Sequence, residues 1–291
     1  MKEIVVVSGK GGTGKTSFTA AFAHLAKGSI ALGDCDVDAA NLALLMHGED
    51  FVEEPFLAGK RARVDENKCT GCGECEKACR YEAIPVIDNL ASVNDLLCEG
   101  CRACSVVCPE DCITFINNRA GTLFHRETST GPMVHGALGI AQDNSGKLVA
   151  KVRADTKLIA MERNIDLAIF DGPPGIGCPV HAAMGGVDLV VAVTEPSSSG
   201  AHDLKRMLDL CDHFNLESAV VVNKYDLSVA VTEEIEEMVK KRGSHTVGRV
   251  PFDEGVPRAL ARREVPLVIP KIKTALENTW GDIVQLLERS A

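Results

Sequence analysis

The sequence predicts an α/β fold: a doubly wound, mostly parallel sheet interrupted by a small α+β insert. Three observations predict it. Short, continuous aliphatic runs recur along the chain, as expected for strands buried on both faces. Stretches of helical composition separate them, the alternation of parallel βαβ units. Segment 69–112 then breaks the rhythm, with nine of the twelve cysteines in 44 residues.

In chain order, 3–8 (EIVVVS) reads as a strand ending in a glycine-rich turn, and an alanine-rich helix follows over 17–27. Residues 29–34 (SIALGD) form a second strand and 37–46 (VDAANLALLM) a helix. The cysteine-rich segment comes next, with no room for a hydrophobic core of its own. Residues 121–140 read as a β-hairpin punctuated by glycine and proline. From 145 the α/β rhythm resumes, with a helix near 147–162 and strands at 166–171, 188–194, 218–223 and 245–251. The expected division is 1–60 and 118–291 for the α/β body and 61–117 for the insert.

Composition bounds the function. Of 291 residues, 45% are hydrophobic and only 4% aromatic, so aliphatic packing must build the core. No apolar run approaches the roughly 18 residues of a membrane span, and the N-terminus lacks the pattern of a signal peptide. The expected location is the cytoplasm. A net charge of −10 argues against nucleic acid as the main partner, because phosphate backbones are bound through an excess of Lys and Arg. In a reducing compartment, cysteines on this scale point to metal or redox use rather than disulfides.

Residues 9–16, GKGGTGKT, match G-x-x-x-x-G-K-[ST] between a predicted strand and a predicted helix. Such a loop curls backbone N–H groups around phosphate oxygens at the positive end of a helix dipole. Gly9, Gly11, Gly12, Thr13, Gly14 and Ser17 would cradle the nucleotide, Lys15 would neutralise its charge, and Thr16 would hold Mg²⁺. With its extra lysine, Lys10, the loop resembles the deviant Walker A motif of the MinD/ParA/Mrp/nitrogenase-iron-protein superfamily of P-loop ATPases. There, the first lysine reaches the partner's nucleotide across a dimer.

The resemblance covers roughly 1–55 and 145–291 and implies further roles. DCDVDAAN (34–41) is similar to switch I, with Asp36 orienting the attacking water and approaching Mg²⁺. DLAIFDGPPG (166–175) is similar to Walker B and switch II, which places Asp171 near Mg²⁺ and Gly175 at the γ-phosphate. VNKYD (222–226) puts Asn223, with Lys224, at the adenine, and VPFD (250–253) brings Pro251 and Asp253 over the base. Lys10, Lys15 and Asp36 would be the catalytic residues.

The cysteines form C69-x2-C72-x2-C75-x3-C79 and C98-x2-C101-x2-C104-x3-C108-P109, with 18 residues between the halves. Three close thiolates on a glycine-containing loop (Gly71 and Gly73; Gly100) can cap three irons of a cube. Zinc would take paired C-x-x-C units and leave two triples awkwardly divided; disulfides are the remaining alternative. The run resembles that of bacterial ferredoxins, in which the fourth cysteine of each motif serves the other cluster. That resemblance implies one [4Fe–4S] cluster on Cys69, Cys72, Cys75 and Cys108. It puts the other on Cys79, Cys98, Cys101 and Cys104.

Several residues stand outside the pattern. Arg80 replaces the proline that often follows the fourth cysteine. Cys112, Cys35 and Cys211 read as packing residues. Cys178 reads as a buried structural thiol or, by analogy with the nitrogenase iron protein, as a redox or bridging ligand beside switch II. Ser145 of Ser145-Gly146-Lys147 reads as a helix cap. His135, His181 and His202 read as loop or capping histidines.

Together the resemblances imply an ATPase, using ATP/ADP and Mg²⁺, that couples nucleotide-driven dimerisation to electron transfer through two clusters. Its partners would be a second copy or a related ATPase, and a redox or metallocluster-accepting protein. A metallocluster carrier of the Mrp type is the alternative, although the chain has no cysteine after Cys211. A MinD/ParA-like spatial regulator is a third reading. Its amphipathic C-terminal segment, 270–291, carries Ile272, Leu276, Ile283 and Leu287 on one stripe with nearly balanced charge, so it is expected to pack on the body rather than on a membrane. The insert leaves soon after switch I and returns before Walker B, so switch motion is expected to reach it through short connections.

Overall fold

A computed structural model describes residues Met1–Arg289. The chain runs β1 (Lys2–Ser8), α1 (Lys15–Leu25), β2 (Ala31–Asp34), α2 (Leu42–Leu45), β3 (Gly48–Val64), α3 (Glu74–Ala78), β4 (Val86–Ile87), β5 (Leu90–Ala91) and α4 (Ala103–Val106). It continues as β6 (Ile113–Thr128), β7 (Gly131–Leu138), α5 (Ser145–Glu162), β8 (Leu167–Pro174), α6 (Cys178–Met184), β9 (Leu189–Thr194), α7 (Ser198–His213), β10 (Ser218–Asn223), α8 (Val229–Lys241), β11 (His245–Val250), α9 (Gly255–Ala261) and α10 (Pro270–Arg289). The strands of the large sheet lie in the order β11-β10-β9-β1-β8-β2-β7-β6-β3. From β11 to β7 every neighbouring pair is parallel.

The chain divides into two compact units. The first comprises Met1–Glu54, Leu123–Ala137 and the described chain from Ser145 onward. Its central strand, β1, is flanked by β8 and β9, and Ile4–Val7 are wholly buried, which accounts for their unbroken apolar run. The register sets Asp34 of β2 opposite Asp171 of β8, so two acids share one end of the sheet. Phe18 and Phe22 of α1 pack beneath it, and Phe22 stacks on Trp280 of α10 at 5.3 Å. Ile272, Leu276, Ile283 and Leu287 are buried in this core, so the apolar stripe of α10 faces the protein. Each such side chain contributes about 1.5–3 kcal/mol relative to an exposed one. The last two residues of the 270–291 segment lie outside the described residues. No helix among the described residues is long and apolar enough to cross a membrane.

The second unit comprises Pro55–Thr122 and Leu138–Asn144. Short helices α3 and α4 pack together, and β4 pairs with β5 antiparallel, Val86 opposite Ala91. Contrary to expectation, this unit has a core. Ala62, Ala83, Ile84, Ala91 and Ile113 are buried around Cys75, Cys98 and Cys112. Small side chains let the cysteine loops approach one another, so the core is made largely of the loops themselves.

Two local expectations need correction. Only Leu42–Leu45 of the expected 37–46 helix is helical, because Asp34 accepts the N–H groups of Asp36 (3.1 Å) and Leu42 (3.0 Å) and holds the intervening loop open. The expected hairpin also extends well beyond 121–140: β6 begins at Ile113, and β3 adds a 17-residue strand beyond it. β3 escaped notice because it lies at the sheet edge, carries Glu49, Glu53, Glu54 and Pro55, and has no alternation of burial.

Candidate functional site: a phosphate loop and two cysteine pockets

The loop between β1 and α1 takes its shape from glycine. Gly12 (φ 82°) and Gly14 (φ 98°) are left-handed, a conformation that costs an L side chain roughly 1–2 kcal/mol. Lys15 opens α1 and is buried, with Nζ 3.2 Å from Asp36 Oδ2 and 3.4 Å from Asp171 Oδ1. Thr16 Oγ1 donates to Asp171 Oδ2 at 2.6 Å, and Thr19 Oγ1 to Asp171 Oδ1 at 3.0 Å. Burial works against the Lys15 charge, but Asp171, Asp36 and Asp34 outweigh it and raise its pKa. Burial, then the facing Asp171, pushes the Asp34 carboxyl up to about 8. Burial likewise raises Asp36, against the pull of Lys15. This cluster of acids and hydroxyls beside one lysine suits a divalent cation accompanied by phosphate.

Beside it opens a cavity of about 210 Å³. Gly12, Gly14, Ser17, Asn223, Lys224, Pro251 and Asp253 line it together with apolar Val256, Leu260 and Ile272. Asn223 Nδ2 donates to the Thr13 carbonyl at 2.8 Å, which fixes the end of β10 to the loop between β1 and α1. The Asp253 carboxylate accepts the Gly255 N–H at 2.6 Å and pairs with Lys271 at 3.0 Å. The Thr13 hydroxyl is buried with no hydrogen-bond partner among the described residues, an orphan that a phosphate oxygen would satisfy. Gly175 N–H donates to the Ser8 carbonyl at 2.9 Å, so the segment after β8 lies alongside the phosphate loop. Gly9 and Gly11 complete that loop.

Lys10 does not turn toward this cavity. Its Nζ lies 2.5 Å from Glu195 Oε1 and 3.2 Å from Ser199 Oγ. Sequence reasoning missed Glu195, Asp34 and Thr19. The first two were findable, since both stand where apolar strands end, as Asp171 does. Thr19 sits one helical turn beyond Lys15, and nothing in its sequence context marks it.

The second unit holds two further pockets. Cys69, Cys72, Cys75 and Cys108 line one, and Cys79, Cys98, Cys101 and Cys104 line another. Backbone N–H groups of Ala62 and Ala83 donate to Cys98 Sγ (3.5 Å) and Cys79 Sγ (3.4 Å). Burial, with Cys98 and Cys101 nearby, pushes the Cys104 thiol up to about 11. Gly71 (φ 67°) crosses the Asn89 carbonyl so closely that a Cβ would lie 2.3 Å from its oxygen, so only glycine fits. Among the described residues, no three or more His, Cys, Asp or Glu side chains converge on a single metal ion.

Cys112 is buried in the small core, as expected of a packing residue, with its Sγ 3.4 Å from Cys108 Sγ on the wall of the first pocket. Two cysteine and histidine expectations change. Cys178 is exposed at the start of α6, not a buried thiol, and a Cβ on Gly146 would meet its carbonyl oxygen at 3.7 Å. His135 lies within β7, buried and stacked on Phe124 at 4.8 Å, with Nε2 3.3 Å from Asp50. Cys35 and Cys211 are buried, Ser145 opens α5, Arg80 is exposed, and His181 and His202 lie on α6 and α7.

Residues 4–267 match the CobQ/CobB/MinD/ParA nucleotide binding domain. An uncharacterized protein of Methanocaldococcus jannaschii is 32% identical over 90% of this chain and 88% of its own length. A second protein of that organism is 30% identical over 78% of this chain and 82% of its own. Among solved structures, the cell division ATPase MinD of Pyrococcus furiosus has a TM-score of 0.58 at 18% identity, covering 98% of this chain and 99% of that one. MinD of Pyrococcus horikoshii, complexed with Mg-ADP, has the same TM-score and identity, covering 100% and 98%. With a family model matched over residues 4–267, the chain belongs to the CobQ/CobB/MinD/ParA nucleotide-binding domain family.

Proposed function

We propose that the protein is a nucleotide-dependent dimeric ATPase that carries two [4Fe–4S] clusters and couples ATP turnover to electron transfer toward a partner protein. One observation carries the iron–sulfur part: each set of four cysteines expected to share a cluster lines its own pocket. Amide donors to Cys79 and Cys98 fit thiolate ligands, since such hydrogen bonds help set cluster potentials. Bound clusters would supply one-electron chemistry, with the eight cysteines as their ligands.

In the ATPase, Gly9–Ser17 would wrap the phosphates, with the Thr13 hydroxyl satisfied by one of them. Thr16, Asp36 and Asp171 would hold Mg²⁺, releasing Lys15 from the two acids toward the phosphates. Asp36 would orient the attacking water and Gly175 would follow the γ-phosphate. Asn223, Lys224, Pro251 and Asp253 would enclose the base. Lys10 of the deviant Walker A loop would act on the nucleotide of a second copy, stabilising developing charge as an arginine finger does.

A metallocluster carrier is the second reading, favoured by the exposure of Cys178 just beyond the 175–177 loop. Anaerobic purification with iron and sulfide counts and EPR, with and without MgATP, tests both. About eight irons per chain are expected. About four would remove one cluster, and zinc in place of iron would end the proposal. Irons retained through turnover, with altered potential, favour electron transfer; delivery of intact clusters to an apo-acceptor favours the carrier.

A further inference from the structure

The Glu195 carboxylate bridges two lysines. Its Oε1 takes Lys10 at 2.5 Å, and its Oε2 takes Lys224 at 3.2 Å. Lys10 is further tied by the Ser199 hydroxyl at 3.2 Å, and its own carbonyl accepts Ser8 Oγ at 2.8 Å. Lys224 follows Asn223 on the wall of the nucleotide cavity. One side chain at the end of β9 therefore links the phosphate loop to the loop on the base side. The hydrogen bond from Lys10 is the leading reason that the Glu195 carboxyl stays ionised below the ordinary range.

We propose that Glu195 is a positioning residue that holds Lys10 against its own subunit, so that Lys10 reaches a second copy's nucleotide only after leaving Glu195. The inference rests on the reading of Lys10 as the lysine that acts across a dimer. The chemistry suits a releasable hold. Lys10 and Glu195 side chains are 34% and 20% exposed, so solvent screens the pair and its net strength is modest. When Lys10 leaves, Lys224 still pairs with the carboxylate, so release strands no buried charge. A nucleotide's phosphates, carrying several negative charges, are the stronger partner for the freed ammonium.

The full chain, loaded with Mg²⁺ and a non-hydrolysable ATP analogue, is followed by analytical ultracentrifugation across a range of protein concentrations. Wild type is expected to dimerise and Lys10→Ala is not. Glu195→Gln is expected to dimerise at roughly three- to tenfold lower concentration, the shift a screened ion pair can supply. Ser199→Ala, a milder change, should move the threshold the same way by less. In the Lys10→Ala background, Glu195→Gln should change nothing, a dependence that a merely structural role would not produce. If Lys10→Ala dimerises like wild type, the trans-lysine reading fails and takes this inference with it. If Lys10→Ala blocks dimerisation while Glu195→Gln and Ser199→Ala leave the threshold unchanged or raise it, the Glu195 inference alone is overturned.

Discussion

The two units handle charge in opposite ways. In the first, the buried Lys15 ammonium lies beside Asp36 and Asp171, with Asp34 close by and hydroxyls of Thr16 and Thr19 completing the set. The groups satisfy one another, so ligand binding exchanges one set of partners for another. In the second, thiols face thiols with no cation among them, and burial pushes Cys104 up to about 11 and Cys112 up to about 12. If the cysteines serve as metal ligands, thiols must lose their protons as positive charge arrives, and loading would then couple to folding.

The largest expected effect follows from that contrast. Cys75→Ala, which removes one proposed ligand from the first pocket, should cost about half of the iron and lower the second unit's thermal midpoint. Nucleotide affinity of the first unit should stay within about twofold, because none of its binding groups is touched. Iron analysis and fluorescent-nucleotide titration read the two effects separately. A large loss of nucleotide affinity would break the comparison. The reciprocal variant, Lys15→Ala, should leave iron unchanged and weaken nucleotide binding about 100-fold or more, since it removes a charge-assisted contact to the phosphates. A loss under about fivefold would mean that Lys15 does not contact the phosphates.

The same contrast explains how much was legible in the sequence. A phosphate loop must be contiguous, because adjacent backbone N–H groups wrap one phosphate, so Gly9–Ser17 could be read as a string. Cysteine triples are short for the same reason, and each set of four lines one pocket. The parallel body was legible because its strands are buried on both faces. What escaped was set by long-range pairing. Glu195 meets Lys10 from 185 positions away (195 − 10), and Asp34 matters because the register places it opposite Asp171. The small core of the second unit escaped because Ala62, Ala83 and Ala91 show no apolar periodicity. Nor did the exposed, acidic edge strand β3.

A pH test sharpens the account of the first unit. The Asp34 carboxyl lies at about 8 in the folded chain, against an ordinary value of about 3.9 when unfolded. The folded state therefore binds the extra proton between those values, and the Asp34 contribution to stability falls as pH rises from about 5 to about 8. Mg²⁺ beside Asp171 would favour the ionised form. The rise in thermal midpoint on adding Mg²⁺ and nucleotide should therefore be larger at about pH 8 than at about pH 6. Asp171→Asn, which removes the facing charge, should flatten the nucleotide-free slope over that range. Equal midpoint shifts at both pH values would mean that Mg²⁺ does not relieve the Asp34–Asp171 repulsion.

The smallest effect compares one glycine from each unit. Gly12 and Gly73 have φ of 82° and 79°, and a Cβ on either would meet nothing within 4 Å. Gly71, by contrast, is walled in by the Asn89 carbonyl. Alanine at Gly12 or Gly73 therefore costs only left-handed backbone strain, about 1 kcal/mol in the ligand-free chain. At Gly71 it must also displace backbone, at a greater cost. If the open space at Gly12 and Gly73 is where phosphate and cluster approach the main chain, each alanine should weaken its own ligand by more than it weakens the fold. Gly12→Ala should lose nucleotide affinity with little change in melting, and Gly73→Ala should lose iron retention while nucleotide binding is unchanged. Denaturant melts beside the two ligand assays separate these terms. Alanine variants that lose only the strain, with both ligands held as before, would mean that these glycines serve the turns alone and that the ligands lie against other parts of the loops.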